Sequence, residues 1–384
     1  MELYVHLPFC RQKCRYCDFI SFSGQEGRME SYVSALLREA EIRAGEITES
    51  FDTVYFGGGT PSLLPPALLT RLAEGLKARL PVLQDAEWTS EANPGTLTPA
   101  WLEAAMPSGI NRISLGMQAA QNSLLKTLGR IHNAGQVEES VKLCREAGLR
   151  NLNLDLMFGL PGQSPADWSE TLRVALSLQP EHISAYGLIP EEGTPLFRDL
   201  EAGRLTLPEV ETERAMYDTL LGTLSRAGFE QYEISNFARP GYACQHNIGY
   251  WTQTPYLGLG LAAASLIFPQ KNGEGLQYLR RTNTADMDAY LSGIAEKAPV
   301  FSEETAIPPG ESRFETLMLG LRMNQGVTEE RFQALHGRSL ESCYGPRLRE
   351  MEAKGLLVHE GDRWRLSRLG MDLQNQVLVA LMDD

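Results

Sequence analysis

The chain has 384 residues, with 35 Lys and Arg against 49 Asp and Glu, and a formal net charge of −14. Hydrophobic residues make up 43%, enough to bury a core, which excludes a mainly disordered chain. The acidic balance disfavours a phosphate backbone, so no nucleic acid is expected as a partner. No apolar run reaches the roughly 18 residues of a membrane span, and no basic-then-apolar leader opens the sequence. The expectation is a cytoplasmic protein with no membrane span and with reduced thiols. Six cysteines are too few for a disulfide scaffold in a chain of this length.

Six short segments have strand character: Leu3–Leu7, Thr53–Phe56, Glu87–Ala92, Arg112–Met117, Leu152–Met157 and His182–Leu188. Helical patterns at Met29–Ile47, Pro66–Leu80, Ala134–Ala147 and Trp168–Leu178 separate them. Such alternation predicts βα units and a parallel sheet. Six units fit a doubly wound sheet or a partial barrel, and periodicity does not choose between them. Nearly every strand ends in a polar or glycine-rich tip, such as Gly57–Thr60, Glu91–Gly95 and Asp155–Gly162. Ligands of parallel α/β folds bind at the carboxyl ends of strands, so one site built from many strands is expected.

An amphipathic helix follows at about 208–228, then a stretch rich in Gly, Pro and aromatics from Tyr232 to about Pro269. Helical patterns at Arg313–Arg322, Glu329–Leu335 and Tyr344–Lys354 precede a two-stranded wing turning at Glu360–Asp362, and a helix from about Met371 closes the chain. This tail reads as a winged-helix-like domain. Its charges are nearly balanced, which favours a structural or lid role over DNA binding.

The densest chemistry lies directly after the first strand. Cys10, Cys14 and Cys17 form a CxxxCxxC pattern. A structural zinc site wants four closed ligands, and no second pair completes it. A redox dithiol needs only two cysteines. A [4Fe–4S] cluster held by three thiolates leaves one iron open, the kind of position catalytic metal sites use.

The pattern resembles the signature of the radical S-adenosylmethionine (SAM) superfamily. Eight motifs narrow the resemblance, in order along the chain: YVHLPFCRQKCRYCDF, YFGGGTPSLL, EANPGTL, SLGMQ, LGRIHNA, DLMFGLPGQ, YEISNFARPG and HNIGYW. Together they are similar to the oxygen-independent coproporphyrinogen III oxidase-like branch, and within it to a group of heme chaperones. The resemblance covers nearly the whole chain and implies a partial (β/α)6 barrel with an extension and a small winged-helix-like C-terminal domain, divided at 1–200, 201–305 and 306–384. It also implies a cluster on the three cysteines, with SAM chelating the open iron and cleaved by an electron from the cluster.

Residue roles follow from the same resemblance. Gly58, Gly59 and Thr60 meet the amino group and sugar of SAM; glycines here leave backbone N–H groups open to a ligand. Glu91 and Tyr4 belong to the same SAM site. Gln118, Arg130 and Asp155 line a second SAM position, where an arginine fork suits a carboxylate. His246, in the HNxxYW motif, is the expected heme contact, since a neutral imidazole ligates heme iron. The implied partners are heme, a heme-acceptor protein, and an electron donor such as flavodoxin or ferredoxin.

Three departures stand out. Ala120 replaces an aromatic, and in the stretch Tyr256–Ser265 Ala262 replaces a glycine and Ala264 a histidine. Phe19 stands where the coproporphyrinogen III dehydrogenases carry a further cysteine, which argues against that activity. A radical SAM methyltransferase is the third reading, and HNIGYW argues mildly against it.

Overall fold

The computed structural model describes residues 1–47, 49–272 and 275–382. Six parallel strands form its centre: β1 (Glu2–Leu7), β2 (Phe51–Gly58), β3 (Val82–Ala92), β4 (Arg112–Gln118), β5 (Leu152–Phe158) and β6 (His182–Gly187). They pair in sequence order, each with the next. This is the partial (β/α)6 barrel that the resemblance implied. Sequential parallel pairing follows from right-handed crossovers, each helix returning over the outer face.

The pleat sorts the side chains. On β1, Leu3, Val5 and Leu7 are fully buried under the helices, while Tyr4 and His6 share the inner face and touch each other. The register sets Tyr4 beside Tyr55, Glu91 beside Ser114, and Asp155 beside Ser184. The inner face is therefore largely polar, whereas a structural barrel would fill it with apolar layers. That inversion is the first sign that the interior serves a ligand.

The extension does not stand apart. The strands β7 (Glu230–Gln231) and β8 (Asn236–Ala238) continue the sheet beyond β6. On the other edge, β9 (Tyr256–Leu259) pairs parallel with β1, and β10 (Ala264–Asn272), β11 (Gly275–Asn283) and β12 (Phe301–Ile307) follow antiparallel. Ala262 adopts a left-handed backbone, φ 52°, which explains why the related stretch carries glycine there. Buried Glu39 ties this region to the helix Met29–Arg43, accepting from Gly260 N, Asn283 Nδ2 and Tyr290 Oη.

The C-terminal unit has its own core around Leu317, Phe332, Leu348 and Trp364. Its sheet is antiparallel, with β15 (Arg363–Leu366) between β13 (Val327–Thr328) and β14 (Leu357–Glu360). Among the described residues no helix is long and apolar enough to cross a membrane.

Candidate functional site: a thiol-lined chamber and a closed barrel floor

A chamber of about 380 Å³ opens at the carboxyl ends of the strands. Ten of the expected residues line it: Cys10, Cys14, Cys17, Gly58, Gly59, Thr60, Glu91, Gln118, Arg130 and Asp155. Tyr4 and His246 do not. Among the described residues the lining ends at Tyr186 on β6, and no residue of the C-terminal unit lines the chamber.

The cysteines sit on the loop that leaves β1. Cys10 Sγ lies 3.6 Å from Thr60 Oγ1, and Arg130 Nη1 donates to Cys14 Sγ at 3.6 Å. Burial raises the Cys10 thiol and pushes the Cys17 thiol up to about 11. Thiols this reluctant to ionise become thiolates when a metal centre supplies the compensating charge. Among the described residues no three His, Cys, Asp or Glu side chains are arranged to hold a single metal ion. Three thiols spread along a chamber wall, with no fourth ligand, suit a bulkier centre with an open position better than closed zinc.

The glycine loop corrects one expectation. Its N–H groups are not open to a ligand: Gly58 N donates to Glu91 Oε2, Gly59 N to Leu7 O and Thr60 N to Phe9 O. The glycines serve close packing: a Cβ on Gly58 would strike the His6 ring, and one on Gly59 would meet Phe9 O at 2.7 Å. Gly58 also has φ +106°, where side chains are strained.

Opposite the loop, Arg130 is held across β4. Its Nη2 donates to Asn93 Oδ1 at 2.5 Å and to Gly116 O at 2.7 Å. Asn93 in turn donates to Thr60 Oγ1 at 2.8 Å. Asn93 thus links the two halves of the chamber, a role that its place in the EANPGTL motif does not by itself reveal. Gln118 is bent inward by a bulge at the end of β4 and carries a left-handed backbone, φ 63°. Non-glycine residues in that region cost energy and cluster at functional sites. Asp155 accepts from Ser114 Oγ and Asn153 Nδ2. Burial raises its pKa, and burial together with the Asp155 charge pushes Glu91 up to about 7. The chamber therefore joins one guanidinium, two carboxyls and three thiols in a partly desolvated space.

Tyr4 lies on the inner face below the chamber wall. Its hydroxyl meets His6 Nδ1 at 3.0 Å, and His6 Nε2 meets Ile20 O at 2.7 Å. This places it as a support beneath the cysteine loop, and does not bring it to the chamber surface.

His246 is also a correction. It is buried at the amino-terminal end of the barrel, on the short helix Gln245–Trp251. Nδ1 pairs with Thr53 Oγ1 at 2.6 Å and Nε2 with Tyr250 Oη at 3.0 Å. Burial, then the Arg112 charge, pushes its pKa down to about 3, so the ring is neutral. Both nitrogens are engaged and the ring is buried, so in this structure His246 is not presented to a heme iron. Glu87 caps the helix, accepting from the backbone N–H groups of Gln245 and His246 and from Cys244 Sγ. HNIGYW closes the barrel floor, and the C-terminal unit packs beneath it: Arg322 lies 4.4 Å over the Trp251 ring.

A thiol-bearing loop after the first strand, facing a polar chamber at the top of a six-stranded parallel barrel, defines a radical SAM protein. Residues 4–175 match the family described as "Radical SAM superfamily", and residues 307–373 match the "HemN C-terminal domain". The chain is 36% identical to the heme chaperone HemW of Escherichia coli (strain K12), over 100% of this chain and 98% of that one. It is 34% identical to HemW of Bacillus subtilis (strain 168), over 99% of both. Coproporphyrinogen III oxidase (HemN) from Escherichia coli, described as a radical SAM enzyme, shares the fold: TM-score 0.84, covering 99% of this chain and 89% of that one, at 21% identity. The chain belongs to the HemW family.

Proposed function

We propose that this protein is a radical SAM-type heme chaperone, carrying a [4Fe–4S] cluster on Cys10, Cys14 and Cys17, binding SAM beside it, and passing heme to an acceptor protein. The observation that carries the reading is identity at 34–36% with heme chaperones over the whole length, together with the three thiols in one chamber. When bound, the cluster supplies the electrons for cleaving a sulfonium. The protein's own groups do the rest. The Arg130 guanidinium faces Cys14 and offsets thiolate charge. The carbonyls of the glycine loop and the Glu91 carboxylate accept from an ammonium or from ribose hydroxyls. Gln118 and Asp155 present acceptors, and Arg130 a nearby positive charge, to a second such ligand.

The division at 1–200, 201–305 and 306–384, a cytoplasmic location and a flavodoxin- or ferredoxin-type donor belong to the same reading. The rival, an oxidative decarboxylase of coproporphyrinogen III, is disfavoured by Phe19, which is 63% exposed where that activity calls for a cysteine. The test is anaerobic incubation of the reconstituted chain with coproporphyrinogen III, SAM and reductant. No protoporphyrinogen IX is expected, and catalytic formation of it would refute the chaperone reading.

A further inference from the structure

The floor motif and the chamber are joined by one side chain. Tyr55 rises from β2 between them. Its hydroxyl donates to Glu91 Oε1 at 3.0 Å. Its ring stacks on His246, centroids 5.0 Å apart and planes 23° apart. Tyr4 lies nearly parallel to the same ring at 6.2 Å. Below, His246 cannot turn, because Thr53 and Tyr250 hold both nitrogens. Above, Glu91 has its second oxygen on Gly58 N at 3.2 Å. A carboxylate with both oxygens held in this way has a single orientation toward the chamber.

We infer that Tyr55 is a positioning residue that transmits the packing of the HNIGYW floor to the Glu91 carboxylate, so that the motif around His246 acts on SAM binding. The inference rests on Glu91 being a SAM contact, as proposed above. Its physical basis is preorganisation: an acceptor fixed before the ligand arrives loses less freedom on binding. Loss of the Tyr55 hydroxyl frees Glu91 Oε1 to rotate. Loosening His246 lets the Tyr55 ring shift and weakens the same bond.

The experiment is a set of SAM affinities on the full-length chain, reconstituted anaerobically, with iron content and heme affinity measured on each variant. Tyr55→Phe keeps the stack and removes the hydroxyl. Its SAM affinity should fall about tenfold, the scale of one hydrogen bond to a charged group, with iron content and heme affinity unchanged. Glu91→Gln should also weaken SAM, and adding Tyr55→Phe to it should cost nothing more. Thr53→Val, which releases His246 Nδ1, should weaken SAM in the parent but not in Tyr55→Phe. If Tyr55→Phe binds SAM as the parent does while Glu91→Gln does not, the inference is wrong. A full Tyr55→Phe loss that persists in Glu91→Gln also overturns it. If Glu91→Gln itself leaves SAM affinity unchanged, the assignment of Glu91 fails, and the inference falls with it.

Discussion

Gly249, in the middle of HNIGYW, offers a quantitative test of the floor. A Cβ there would overlap the Glu2 carboxylate. Among the described residues Glu2 Oε2 has no hydrogen-bond partner, and burial pushes the Glu2 pKa up to about 9. At neutral pH this group is a buried carboxylic acid wedged against a helix. Forcing a methyl into such a site costs about 1–3 kcal/mol, while alanine in place of glycine inside a helix gains about 1 kcal/mol. Gly249→Ala alone should therefore destabilise the chain by up to about 2 kcal/mol. In a Glu2→Ala background the space exists, only the helix preference is left, and the same change should stabilise by about 1 kcal/mol. Urea unfolding of the cluster-free chain, followed by tryptophan fluorescence, reads both backgrounds. Equal effects in the two, within about 0.5 kcal/mol, would refute the packing argument.

Further outcomes follow from the chamber. Replacing any one of Cys10, Cys14 or Cys17 with alanine should abolish the roughly four irons per chain of a reconstituted cluster; a full iron count in such a variant contradicts the assignment. Glu91, with its pKa raised to about 7, is ionised above that pH and neutral below it. If the ionised form is the acceptor, SAM affinity should weaken as pH falls from about 8 to about 6, and Glu91→Gln should flatten the profile. His246→Ala should lower the urea midpoint, since it removes a buried stack and two hydrogen bonds worth about 2–3 kcal/mol together. Its heme Soret band should match the parent's, and a lost band in a folded variant would restore His246 as a ligand.

The sequence carried the barrel well. Alternation and strand length mark five of the six central strands to within a few residues, whereas β3 starts at Val82, well before the Glu87 read from the pattern; the cysteine loop needs no tertiary information, since its spacing is local. The short helices Pro99–Ala105 and Asn122–Thr127 went unread, because one or two turns leave almost no periodicity. The pairing of β9 with β1 was equally illegible, joining segments some 250 residues apart with no local signal. In the site, motif membership found the residues but not their partners. The N–H groups of the glycine loop are consumed by Leu7, Phe9 and Glu91, distant contacts that no motif encodes. His246 shows the limit most clearly. An aromatic-flanked histidine suggests a ligand, and only the Thr53 and Tyr250 contacts reveal a sealed floor.

The central claim, a cluster-bearing heme chaperone, is tested most directly by anaerobic heme titration of the reconstituted chain with SAM present. A saturable Soret band reaching a fixed stoichiometry, and transferable to an added heme-free acceptor, is the predicted result. A spectrum that is only the sum of free heme and cluster at every ratio would contradict the account.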